Sequence, residues 1–205
     1  MMRQLKVAFV SFAMLAWAAP ALALTAEDAI NMAVEAEGLL LDLQIEMETM
    51  MGTIEPAEGV QTIDGIEYNV VEYQDPVTGK ILKMIYTTDG QLVKSELSDQ
   101  NTGITLTTEY DENGNAVAQT IMTTTEDGSV WRSTTIQYNT DGTKTYTMID
   151  YTESSDNKIT ALVRAGGDIA NRDDIISMTV ETQPGMPRPP SESTCPNTGQ
   201  SEIVV

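Results

Sequence analysis

Histidine is absent from all 205 residues, which removes the usual general base, any Ser-His-Asp or Cys-His arrangement and any histidine-containing zinc site. What remains for chemistry is carboxylate. The 31 Asp and Glu residues bring some carboxyl groups near one another, and a pair could cleave glycosides. Sugar-cleaving sites need aromatic platforms, however, and beyond the first 23 residues the aromatic set is Trp131 and seven tyrosines. No Gly-rich phosphate loop or dinucleotide fingerprint follows any strand-like run. Asp111, Asn113 and Asn115 have the alternating oxygen ligands of a calcium loop. The match ends there: position six is Ala116 instead of Gly, and position twelve is Met122 instead of a bidentate Glu. An Asn-Gly hairpin turn accounts for the same residues. The expectation is a noncatalytic protein with no cofactor and no metal.

Sulfur leaves two further signals. Cys195 is the single cysteine, so the chain has no internal disulfide, and its place in a Pro-rich tail reads as incidental. Methionine is more informative, because Met47, Met50, Met51, Met84, Met122, Met148 and Met178 all fall on predicted strands. Its flexible, polarisable side chain suits surfaces that accommodate varied apolar groups, although it also fills a core that lacks Phe.

The elements that must position these residues are organised by a repeated phrase between Lys80 and Ile159. YTTDG, YDENG, TTEDG and YNTDG end at Gly90, Gly114, Gly128 and Gly142. Asp-Gly and Asn-Gly supply the positive φ angles of tight hairpin turns. The last three glycines fall 14 residues apart, which leaves about four residues for a turn and about ten for a strand. The pattern predicts an antiparallel β-meander. Ile66–Val70, Leu82–Tyr86, Ile104–Tyr110, Val130–Tyr138, Ile159–Val163 and Ile176–Val180 read as strands. Segments 116–123 and 146–151 carry apolar residues on both parities, so their faces stay unassigned. The alternate faces are rich in Thr, Ser and Gln, predicting a thin sheet with one wetter side.

Toward the N-terminus, Arg3 and Lys6 precede an apolar run from Val7 to Trp17, then Pro20 and Ala21-Leu22-Ala23, the pattern of a secretory signal peptide over residues 1–23. Its loss removes those two cations and no acid, taking the formal charge from −20 to −22. Such a field repels nucleic acid and anionic headgroups. The chain is therefore expected to be exported, to the periplasm or the exterior of a bacterial cell, with no stable membrane anchor. Thr25 then caps a helix whose apolar positions 30, 33 and 34 precede Gly38, a permissive C-terminal cap. From Leu41 to Met51 the period reads as strict alternation, predicting a half-buried strand, and Glu55–Gly59 reads as a loop. One domain over 24–183 follows, with 184–205 a disordered Pro-rich tail.

Two families resemble parts of this pattern. LTAEDAINMAVEAEGLL, LDLQIEMETMM and IYTTDGQLV resemble the opening of the outer-membrane lipoprotein carrier superfamily over roughly residues 24 to 97. The resemblance implies an incomplete antiparallel barrel with a helical lid over a cavity that holds acyl chains. YDENGNAV, TTEDGSVW and YNTDGTKT resemble the phrase of YD-repeat proteins, implying a secreted or cell-surface β-scaffold that acts through protein partners.

The reading is thus a mainly β protein with one N-terminal helix packed on a curved antiparallel meander or incomplete barrel. It binds an apolar ligand or lipoprotein acyl chain through Ile45, Met47, Met51, Met84, Tyr86, Leu106 and Ile136, each on the apolar parity of a predicted strand. The alternative is a structural or adhesive sheet that meets a protein partner.

Overall fold

The computed structural model describes residues 24–124, 131–151 and 156–183. The expected signal peptide, the Pro-rich tail with Cys195, Val130 and the turn at Gly128 lie outside the described residues. The described residues open with one α-helix, α1 (Ala26–Thr53). Ten strands follow: β1 (Ala57–Ile63), β2 (Ile66–Gln74), β3 (Lys80–Tyr86), β4 (Leu92–Asp99), β5 (Ile104–Tyr110), β6 (Ala116–Thr124), β7 (Trp131–Tyr138), β8 (Lys144–Tyr151), β9 (Asp156–Val163) and β10 (Ile175–Gln183). Every strand pairs antiparallel with its sequence neighbour, giving one ten-stranded meander in the order β1 to β10.

The repeated phrase marks chain reversals. Gly90, Gly114 and Gly142 have φ of 93°, 81° and 82°, and each turn is closed by the same pair of backbone bonds. In the YDENG turn the Asp111 N–H donates to the Asn115 carbonyl at 2.9 Å, and the Gly114 N–H to the Asp111 carbonyl at 3.0 Å. Glycine alone is left-handed there, as in a three-residue hairpin loop. At Asp64-Gly65 both residues have positive φ (52° and 82°), the signature of a two-residue primed turn. The Asp111 carboxylate accepts the N–H groups of Asn113 and Asn115, each at 2.8 Å, so the calcium-like triplet is spent on its own turn.

Register sorts the side chains into two faces. On one, Leu82, Leu97, Leu106, Ile121, Thr134, Met148 and Ile159 are successive cross-strand partners from β3 to β9, all buried. On the other, Thr107, Thr120, Thr135, Thr147, Thr160 and Thr179 form a row across β5 to β10. Threonine keeps a β-branched body on the pleat and a hydroxyl for water, so this is the wetter face. Segments 116–123 and 146–151 resolve the same way: Gln119 and Ile121 on β6, and Tyr146, Met148 and Asp150 on β8, point to the buried side.

The alternation at Leu41–Met51 is not a strand. α1 begins in a capping box between Thr25 and Asp28, passes through Gly38 and runs 28 residues, about 42 Å. The buried positions there are Leu40, Leu43, Met47 and Met50, a spacing of three and four. Leu39-Leu40-Leu41 and Met50-Met51 satisfy both periods, and local preference decides between them. Leu, Met, Glu and Gln favour helix, only Ile45 and Thr49 are β-branched, and one interior Gly costs about 1 kcal/mol. Ile54 leaves the helix extended, and Pro56 follows. Two strands lie outside the sequence expectation: β1 occupies Ala57–Gly59, read as loop, and β4 was not singled out. β1 is exposed along nearly its whole length, and β4 has polar Ser95 and Asp99 at two of its three buried positions, so neither shows an apolar alternation.

α1 lies on the apolar face. Ala29, Met32, Ala33, Ala36, Leu40, Leu43, Met47 and Met50 join the sheet's buried row in one core. Glu37 and Glu46 are about 14 Å apart along the helix. Their lysine partners stand on β8 and β3, about 24 Å apart in a flat sheet. Side-chain reach and curvature close that gap: the sheet bends around the helix without closing into a barrel.

Two outcomes follow. Gly38 sits in a helix interior with open space where a Cβ would go, so G38A should stabilise the chain by about 0.5–1 kcal/mol in urea unfolding, whereas a left-handed cap would make it destabilising. The turn carboxyls of Asp75, Asp111 and Asp141 are held below the usual Asp range by hydrogen bonds from Thr78, Asn115 and Thr143. Folded-state values below unfolded ones mean this stabilisation is complete above the ordinary Asp pKa of about 4 and is lost as pH falls through the lowered values. The urea midpoint should therefore drop below about pH 4, and less steeply in D111N.

Candidate functional site

The candidate site is the contact between α1 and the concave sheet face. Its floor is the apolar row described above and a second row beside it, Met84, Ser95, Thr108, Gln119, Ile136, Tyr146 and Ala161. The second row is apolar toward both ends and polar in the middle, where Ser95, Thr108 and Gln119 are buried. Burial of such groups requires partners. The Gln119 amide donates to Thr108 Oγ1 at 3.4 Å and its carbonyl accepts the Tyr138 hydroxyl at 2.5 Å, while Ser95 and Tyr110 hydroxyls are 3.0 Å apart.

These tyrosines come from the repeated phrase. Tyr86, Tyr110 and Tyr138 each stand four residues before a turn glycine, on β3, β5 and β7. Repetition every second strand puts them at the same end of the sheet, where all three are half-buried. Burial, then the neighbouring Tyr73 and Tyr110, raises the Tyr86 hydroxyl above its ordinary pKa. Burial and Glu37 do the same to Tyr138.

Two ion pairs tie the helix down. Lys80 Nζ lies 2.5 Å from Glu46 and 3.5 Å from Asp99. Burial works against the Lys80 charge, but the Glu46 and Asp99 carboxylates outweigh it and raise its pKa. Lys144 Nζ lies 3.0 Å from Glu37, whose carboxylate also accepts the hydroxyl of fully buried Tyr146. Burial and that bond push the Tyr146 hydroxyl far above the ordinary tyrosine range, so it stays a donor. Between helix and β6–β7 a cleft of ≈ 110 Å³ remains, lined by Met32, Ala36, Leu39 and Ile121, with Glu35 and Arg132 among its polar residues.

The seven sequence-derived residues separate into two groups. Met47, Met84, Leu106 and Ile136 meet in the core between helix and sheet, and Tyr86 packs half-buried against it. Ile45 and Met51, assigned by strand parity, stand on α1 and are 56% and 39% exposed. Helical rotation turns them away from Met47, with which alternation had grouped them. Sequence reasoning missed Tyr110 and Tyr138, whose signal was present in the tyrosine of YDENG and YNTDG, and Glu37 and Glu46, whose partners are distant in sequence.

Neither a protein-family model nor a curated protein matches the chain.

Glu37 is the helix residue with the most to lose. E37A should cost about 1–3 kcal/mol in urea unfolding, because the buried Tyr146 hydroxyl loses its acceptor. E35A, on the exposed side of the same turn, should stay within about 0.5 kcal/mol.

Proposed function

We infer that this is an exported, noncatalytic binding protein that carries a lipid or other apolar ligand, with α1 as a lid over the concave sheet face. The observation that carries the reading is the make-up of the helix–sheet contact. A row seven strands wide, apolar except at Thr134, and the row beside it meet the helix, and Met32, Met47, Met50, Met84 and Met148 lie in the shared core. Methionine side chains rearrange at low cost, so such a contact can exchange helix for ligand without a fixed cavity. The lid is tied by Glu37 and Glu46 to one lysine each. These side chains are 20–31% exposed, so water weakens both pairs, and a shift of the lid also gives up the Tyr146 hydroxyl's bond to Glu37. The cleft of ≈ 110 Å³ is the starting point for entry. It is below the roughly 300 Å³ of an ordinary ligand pocket, so loading requires the lid to shift. Of the stretches that resemble the lipoprotein carrier superfamily, LTAEDAINMAVEAEGLL and IYTTDGQLV keep the helix and strands that the resemblance implies, while LDLQIEMETMM is helix where it implies a strand. Glu35 and Arg132 both line the cleft, so its lining carries no net charge and suits a neutral chain or ester.

A second reading, a secreted β-scaffold acting through protein partners, is favoured by one observation: both edge strands expose apolar residues, Val60 on β1 and Ile176 and Val180 on β10. Exposed edges invite pairing with another chain.

Native purification followed by lipid mass spectrometry, with saturable titration of a fluorescent fatty-acid ester, tests the carrier role. Binding is expected in the parent chain and reduced about tenfold or more in A36L, which fills the cleft. Absence of saturable binding and of co-purified lipid would end the carrier reading and leave the scaffold.

A further inference from the structure

α1 carries two apolar seams, and the sheet covers one of them. At about 100° per residue, Ala29, Ala33, Ala36, Leu40, Leu43, Met47 and Met50 point in one direction, while Val34, Gly38, Leu41 and Ile45 point roughly 160° away. Steps of four, three and four residues between successive members of the second set give the 3.5-residue repeat of a helix-pairing seam. Val34, Leu41 and Ile45 are 41%, 62% and 56% exposed. A Cβ built on Gly38 would meet nothing within 4 Å, so no described residue covers the seam there. From Val34 to Ile45 it runs about 17 Å, or three turns.

The rim has one sign of charge. Glu35 and Asp42 flank the seam on one side and Glu48 on the other, with Glu27 in line at the N-terminal end, all exposed. Residues 26–53 contain no Lys or Arg. Glu37 and Glu46 are drawn toward sheet lysines, whereas Glu27, Glu35, Asp42 and Glu48 form no ion pair with any described residue. In a paired-helix interface these flanking positions select the partner by charge.

We propose that this outer seam docks an amphipathic helix of a partner protein, its apolar stripe flanked by Lys and Arg. Complementarity on both rims and an apolar centre define that partner. A second copy is disfavoured, because pairing two seams sets acid against acid on chains of formal charge −20. An anionic bilayer is disfavoured for the same reason. The apolar residues of the seam lie on the opposite side of α1 from the contact assigned to ligand, and only Glu35, between the two, borders both, so the proposal does not depend on the carrier reading.

Titration calorimetry of the full chain against a synthetic helical peptide of about 20 residues, Leu on the seam and Lys on its flanks, tests the proposal. The expected result is saturable one-to-one binding that weakens with salt. It should be at least about tenfold weaker for a scrambled peptide of the same composition and for the double variant L41Q/I45Q. Both replaced side chains are exposed, so the variant should keep the parent's urea midpoint. Equal affinity for ordered and scrambled peptides would show bulk charge attraction alone and overturn the proposal. So would unchanged affinity in the double variant, no binding at all, or dimerisation of the chain through the seam.

Discussion

A single antiparallel sheet has two faces, and only one can be left to water when the other carries a row that is apolar at every strand but one, Thr134 on β7. From Leu82 to Ile159 that row must be covered, and one 28-residue helix covers it. The rest of the architecture answers to this contact. The sheet curves because a single helix is narrower than the apolar surface it shields, and bending brings distant strands to it. The opposite face carries its row of threonines from Thr107 to Thr179, and no described element packs on it.

Polar groups inside the contact are satisfied locally, which explains the placement of the tyrosines. Ser95, Thr108 and Gln119 interrupt the second row, and Tyr110 and Tyr138 reach back from the hairpin ends to bond Ser95 and Gln119. Tyr146 bonds across the layers to Glu37 and so fixes helix against sheet. Among the described residues Asp150 Oδ1 is a buried side-chain oxygen without a hydrogen-bond partner, while the other carboxylate oxygen meets Arg132 at 3.3 Å. A helix held by methionine packing and a few polar ties can be tightly positioned yet displaceable, the property the proposed carrier role requires.

The helix is also the element with the most unusual surface. Its inner seam is small toward the N-terminus, with Ala29, Ala33 and Ala36, and bulky toward the C-terminus, with Leu40, Leu43, Met47 and Met50. Its outer side is apolar as well. A helix apolar on two sides is read poorly by any test that seeks one stripe, because the two directions cancel.

Much of the fold was legible in the sequence because its signals are local. Asp-Gly and Asn-Gly require a backbone that only a turn supplies, so Gly90, Gly114 and Gly142 mark reversals whatever surrounds them. Thr25 and Asp28 cap a helix through contacts three residues apart. Residues Leu41 to Met51 were not legible, since a row of Leu and Met fits both periods and the sheet, not the alternation, selects which side chains are buried. Met47, Met84, Leu106 and Ile136 were readable as core-facing from their apolar type, while the outward turn of Ile45 and Met51 depends on helical rotation. Glu37 with Lys144 and Tyr146, and Glu46 with Lys80, are separated by 34 to 109 positions. Composition and spacing determined the helix start, the hairpins and the wetter face. Which carboxylates are tied down, and which apolar seam of the helix stays open, was decided only when curvature brought β3 and β8 to the same helix.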